Sequence, residues 1–188
     1  MFFTDCINNN ISEQILKFNN ISIIYKAKNT YNNIKELEEI IKFCKKNNIK
    51  FYISNNFKLA IKMGADGIYI NNEFKNKLIF NKKINFKVII GVHSQKEYFS
   101  KSAEKYDFIV VSPIFYNSKY SLNKILNPIK FNLLTNAWGK KIYALGGINL
   151  NNIKKIRLTK SMGIGFVSLI EDRKIKKPVC HYNRRVFE

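Results

Sequence analysis

The sequence predicts a single compact α/β domain, a (β/α)8 TIM barrel whose last helix is short or missing. Three observations carry this expectation. Short apolar, β-branched or aromatic runs recur eight times, with segments of helical spacing between them. No long stretch alternates with a period of two, as a sheet with one wet face would. Polar residues and glycines gather directly after the apolar runs, and in a barrel those strand ends share one rim, where active sites are built. At 188 residues the chain suits one core and lean loops. The barrel is expected over residues 1–172, with a basic tail at 173–188.

Each element has its own signal. Phe2-Phe3-Thr4 reads as a first strand, and Ile11, Ile15 and Phe18 recur at helical spacing behind it. Ile21–Tyr25 is the second strand. Asn33 and Glu36 resemble a capping box for a helix whose apolar face is Ile34, Leu37, Ile41 and Cys44. Phe51–Ile53 is the third strand, Ser54 or Asn55 caps the next helix, and Gly64 closes it. Gly67–Ile70 is the fourth strand; the weakly patterned 75–86 follows as a short helix or a loop. Val88–Ile90 runs into Gly91-Val92-His93, and Ser94 with Glu97 starts another helix. Phe108–Val111 precedes a polar-ended loop at 112–119. The helical pattern from Leu122 to Leu134 is interrupted by Pro128. Ile142–Leu145 and Ile164–Val167 are the last two strands.

Bulk composition narrows the function classes. Hydrophobic residues make up 46%, enough for a core, and no apolar run is long enough to span a bilayer. The N-terminal stretch lacks a signal-peptide pattern. Cys6, Cys44 and Cys180 show no metal-ligand or CxxC spacing, so reduced thiols and a cytoplasmic location are expected. The net charge of +20 would suit nucleic acid or an anionic small molecule. Lysines are spread over every segment while Arg and Gly are scarce, which favours the small anion and leaves nucleic acid a distant alternative.

Lys141-Ile-Tyr-Ala-Leu-Gly-Gly-Ile-Asn149 is the most informative stretch. It proposes a strand, a glycine turn and a helix start capped by Asn149, with Ile153 and Ile156 on the helix. Backbone N–H groups at such a turn can approach a phosphate closely. The same glycine pair can also serve only as a tight turn. Gly163-Ile-Gly-Phe-Val-Ser168, one helix later, has a similar ending and favours the phosphate.

The chain resembles the thiamine-phosphate synthase/TenI family. Five segments carry the resemblance: Met63-Gly-Ala-Asp-Gly-Ile-Tyr-Ile70, Ile90-Gly-Val-His-Ser94, Asp107-Phe-Ile-Val-Val-Ser-Pro-Ile-Phe115, Ala144-Leu-Gly-Gly-Ile-Asn149 and Gly163-Ile-Gly-Phe-Val-Ser168. The resemblance implies thiamine biosynthesis by a transferase. That enzyme joins hydroxymethylpyrimidine diphosphate to a thiazole phosphate and releases pyrophosphate. It also implies Mg2+ as cofactor, and phosphorylated thiazole and pyrimidine molecules as partners. TenI-type relatives instead tautomerise a thiazole phosphate, and a barrel that only binds one is a further alternative.

Carried onto this chain, the resemblance places a thiazole-phosphate cradle at Gly146, Gly147, Val167 and Ser168. It places diphosphate contacts at Lys26, Lys28, Asn55, Ser118 and Lys119, with His93, Lys28 and Lys119 as catalytic candidates. Lys26 and Lys28 stand where the family has an arginine and a lysine, and Ile24 replaces its glutamine. The family's metal-binding aspartates are unmatched; Asn55 and Glu73 are the remaining candidate ligands. His93 suits proton transfer, or serves only as a hydrogen-bonding rim residue. Asp66 and Asp107 are expected to be structural turn residues.

Overall fold

The computed structural model describes residues 1–26, 34–71, 86–101, 106–138 and 141–167. Eight parallel strands follow one another around a single sheet: β1 (Phe2–Thr4), β2 (Ser22–Tyr25), β3 (Lys50–Ser54), β4 (Gly67–Ile70), β5 (Lys87–Val92), β6 (Phe108–Val111), β7 (Lys141–Leu145) and β8 (Gly163–Gly165). Phe2 bridges Phe166, and the Phe3 N–H donates to the Phe166 carbonyl at 2.8 Å. These bonds join the last strand to the first and close the barrel.

Strand periodicity divides the apolar residues between two environments. Phe3, Ile24, Tyr52, Tyr69, Ile89 and Val110 fill the barrel interior. Alternate residues such as Phe2, Ile23, Phe51, Ile53, Ile68, Ile90 and Ile109 face the surrounding helices. The predicted strands are found in order, with ends shifted by a residue or two.

The helices are α1 (Asn9–Leu16), α2 (Ile34–Lys46), α3 (Phe57–Lys62), α4 (Gln95–Lys101) and α5 (Asn127–Thr135). Three departures from the sequence expectation have local causes. The cap of α3 is Asn56, whose Oδ1 accepts the Leu59 N–H at 2.9 Å; Asn55 instead takes a left-handed φ of 55° at the strand end. Pro128 lies in the first turn of α5 and opens the helix, because a first-turn residue needs no N–H partner. Asn149 does not start an α-helix. Its Oδ1 accepts the N–H groups of Asn151 and Asn152 in a turn, and a 3-10 segment, Ile153–Leu158, follows.

The expectation of three reduced thiols is also corrected: Cys44 is free and buried, but Cys6 is disulfide-bonded. Among the described residues no helix is long and apolar enough to cross a membrane. Asn33, the segment 75–85, the boundary at 172 and the basic tail 173–188 lie outside the described residues.

Candidate functional site

Continuing the inward alternation past each strand's end brings a specific set of residues to one rim. Lys26 follows Ile24, Ser54 follows Tyr52, Asn71 follows Tyr69, and Ser112 follows Val110. His93, Gly147 and Val167 continue the ring from β5, β7 and β8, and Asp5, two residues after Phe3, adds a carboxylate from β1. The opposite end is built differently. There Asp66 Oδ1 meets Lys50 Nζ at 2.7 Å and Asp107 Oδ1 meets Lys87 Nζ at 2.8 Å. The second oxygen of each carboxylate accepts a strand N–H, from Phe51 and Val88 respectively. Both aspartates are therefore structural, as their sequence context suggested.

The glycine turn lies beside the end of β8, since Leu145 is in register with Gly165, two residues before Gly147 and Val167. Gly146 and Gly147 have φ values of 95° and 68°, conformations that favour glycine. A Cβ on Gly147 would lie 2.4 Å from the carbonyl oxygens of both Phe115 and Tyr116, so the turn packs directly on the loop after β6. The carbonyls of this turn are engaged by the protein: Gly146 accepts the Phe115 N–H at 3.0 Å, and Gly147 accepts Asn152 Nδ2 at 2.7 Å. Among the described residues the hydrogen bonds of this turn use those carbonyls. Val167 is 44% exposed at the same rim. Ser168 lies outside the described residues.

On the neighbouring side, His93 is held by three elements. Its backbone N–H donates to Glu97 Oε2 at 2.8 Å, and the Glu97 N–H donates to Ser94 Oγ at 3.2 Å. The expected capping box is thus present, but its glutamate reaches back to His93 rather than to Ser94. The ring Nδ1 lies 2.9 Å from the Ser112 carbonyl oxygen and 3.1 Å from Ser112 Oγ. Tyr120 packs on the ring, with centroids 5.6 Å apart. Burial pushes the Tyr120 phenol up, and its hydrogen bond with the Ser112 side chain acts the other way. Below, Tyr69 occupies the space beside Gly91, where an added Cβ would meet its hydroxyl at 2.3 Å. Burial raises the Tyr69 pKa as well, so this phenol stays neutral.

The remaining candidates divide into three groups. Lys26 is at the rim, its backbone N–H bonded to the Thr4 carbonyl at 2.8 Å. Ser118 and Lys119 are exposed on the β6 loop, where the Lys119 N–H donates to Asn117 Oδ1 at 3.0 Å. Lys28 and Glu73 lie outside the described residues. Asn55 is engaged with Asn71: its Nδ2 donates to Asn71 Oδ1 at 2.6 Å, and its Oδ1 accepts the Asn71 N–H at 3.0 Å. An amide oxygen already accepting a backbone N–H is a poor Mg2+ donor, and Asn71 brings no carboxylate. Among the described residues no group of three or more His, Cys, Asp or Glu side chains could hold a metal ion. Asn55, one candidate ligand, is engaged as a brace between the ends of two neighbouring strands, and Glu73, the other, lies outside the described residues.

Ser112, Tyr120 and Asn71 at the rim, and Tyr69 in the interior beneath it, are among the residues that sequence reasoning missed. Ser112 carried a legible signal, a polar residue directly after a buried strand and before proline. The contact of Tyr120 with His93 crosses from one loop to the next strand and has no local signature.

Comparison with known proteins agrees with this architecture. The family model described as thiamine monophosphate synthase matches residues 5–171. A thiamine-phosphate synthase of Staphylococcus haemolyticus is 29% identical over 70% of this chain and 64% of its own length. One of Prochlorococcus marinus is 33% identical over 79% of this chain and 43% of its own length. The chain thus spans less than two thirds of these relatives. Among solved structures, a thiamine phosphate pyrophosphorylase from Pyrococcus furiosus superposes with a TM-score of 0.71 at 18% identity, covering 89% of this chain and 84% of that one. An HpcH/HpaI aldolase from Desulfitobacterium hafniense gives 0.62 at 8% identity, covering 88% and 84%, so such superpositions report the barrel alone. With nearly the whole described barrel inside the family match, the chain belongs to the thiamine monophosphate synthase family.

Proposed function

We propose that this chain is a thiamine-phosphate synthase. It takes hydroxymethylpyrimidine diphosphate and a thiazole phosphate, joins the pyrimidine methylene carbon to the thiazole nitrogen, and releases pyrophosphate. The observation that supports this most is the Gly146-Gly147 turn beside Val167 at a rim that also carries Lys26 and His93. In this reading the amides of Gly146, Gly147, Val167 and Ser168 hold the thiazole phosphate. Lys26, Lys28, Ser118 and Lys119 face the diphosphate. As the carbon–oxygen bond to the diphosphate breaks, negative charge grows on the leaving group, and nearby cations lower that barrier. The thiazole nitrogen lone pair then forms the new carbon–nitrogen bond.

The family resemblance implies Mg2+, toward which Asn55 offers one amide oxygen, and we assign the ion no step. Phosphorylated substrates support a cytoplasmic location. The deciding experiment supplies both precursors, with and without Mg2+, and measures thiamine phosphate and pyrophosphate in equal amounts. Binding of thiazole phosphate without either product would replace the synthase with a binder. Isomerisation of a thiazole phosphate alone, lost in His93→Gln, would replace it with a tautomerase.

A further inference from the structure

We propose that Ser112 and Tyr120 are positioning residues that fix His93 as the Nδ1–H tautomer, with Nε2 left as a hydrogen-bond acceptor at the barrel mouth. The inference rests on the reading of this rim as the substrate site, and it adds which chemical face of a substrate meets His93.

The tautomer follows from hydrogen-bond chemistry. A carbonyl oxygen can only accept, so the 2.9 Å contact between Nδ1 and the Ser112 carbonyl requires a proton on Nδ1. The neutral ring then carries its lone pair on Nε2. The Ser112 hydroxyl also meets Nδ1 at 3.1 Å, so both polar contacts to the ring fall on one nitrogen. Among the described residues no hydrogen bond to Nε2 is found. Tyr120 prevents the ring from turning away: its aromatic face lies against the imidazole at a tilt of 39°. The backbone below is anchored too, through the His93 N–H on Glu97 and the Gly91 carbonyl, which accepts Lys101 Nζ at 2.7 Å. The groups around the ring are thus Glu97 and Lys101 from α4, Tyr69 from β4, and Ser112 and Tyr120 from β6 and its loop.

This arrangement selects a ligand chemistry. A lone pair on Nε2 attracts an O–H, an N–H or a transferable proton and repels a phosphate oxygen. The phosphoryl groups therefore belong at the glycine turn and the lysines, and a proton-bearing edge of a heterocycle belongs at His93. Tyr120 sits on the same loop that packs on Gly147 through the Phe115 and Tyr116 carbonyls. One loop thereby braces both the anion side and the acceptor side of the mouth.

Nitrogen-15 spectra of the imidazoles in the ligand-free full chain at pH 8.5 read the tautomer directly. His93→Gln separates its signals from those of His181. The expected wild-type result is a proton on Nδ1 and a bare Nε2. Tyr120→Phe is expected to keep that pattern, and Tyr120→Ala to replace it with a mixture of tautomers. In the synthase assay Tyr120→Ala should lower kcat/KM by roughly tenfold through the lost orientation of one hydrogen bond, with recovery in Tyr120→Phe. A wild-type proton on Nε2 would overturn the proposal. So would a Tyr120→Ala spectrum identical to wild type, or an unchanged kcat/KM in that variant. Tyr120→Leu is the second variant should Tyr120→Ala misfold. The spectra need no turnover, so a failed assay in wild type would count against the synthase reading and leave the tautomer measurable.

Discussion

At the scale of single residues, Gly147 carries two requirements at once: a left-handed φ of 68° and room for two carbonyl oxygens 2.4 Å from an added Cβ. Gly147→Ala should therefore lose about 2 kcal/mol or more of stability by urea unfolding, and thiazole-phosphate affinity should fall with it. Lys26→Ala should act on the other side of the mouth, raising KM for the diphosphate substrate about tenfold while thiazole-phosphate binding stays unchanged by calorimetry. Buried proton-bearing groups set the alkaline limit, Cys44 and Tyr52 among them. Burial pushes the Cys44 thiol up from 9.0 to about 12 and the Tyr52 phenol up from 10.0 to about 12. The folded chain then holds these protons more tightly than the unfolded one. Their stabilisation is complete below pH 9 and is lost as pH rises toward 12. Thermal unfolding should show a lower Tm at pH 11 than at pH 8, and Cys44→Ala should reduce that difference.

Elements show which sequence signals are self-sufficient. The pairs Asp66 with Lys50 and Asp107 with Lys87 repeat one device, a turn carboxylate that takes both the Lys and the N–H of a strand residue. The ion pairs are partly exposed and worth little, whereas the N–H bonds sit deeper. Asp66→Asn and Asp107→Asn should each cost about 1 kcal/mol in urea unfolding without changing KM for either substrate. α2 was legible because Leu37, Ile41 and Cys44 repeat at helical spacing and are all buried. The segment after β7 was not. Its Ile153 and Ile156 fit a helix, but the Asx turn at Asn149 uses the N–H groups that would open one, and a 3-10 segment results. Asn55 and Asn56 show the same limit: both are good caps, and the strand-end conformation of Asn55 leaves the role to Asn56.

For the whole molecule, closure depends on a few aromatic contacts. Phe166 is 5% exposed, with its ring 5.5 Å from Phe2 and 5.8 Å from Phe18. Phe166→Ala should cost about 3 to 5 kcal/mol in equilibrium unfolding, and it should weaken phosphate binding because Val167 follows directly. The eight strands, their order and the rim they share were determined by the sequence alone, since apolar runs separated by helical spacing leave parallel closure as the economical way to bury both faces. Lys26, His93 and the glycine turn were legible for the same reason: each directly follows a strand. Only the tertiary structure decided what those residues do to one another. The bracing of Asn55 by Asn71, the pinning of His93 by Ser112 and the cover from Tyr120 are contacts between different strands and loops. Distances of that kind arise from strand register and loop path, which no local pattern of residues encodes.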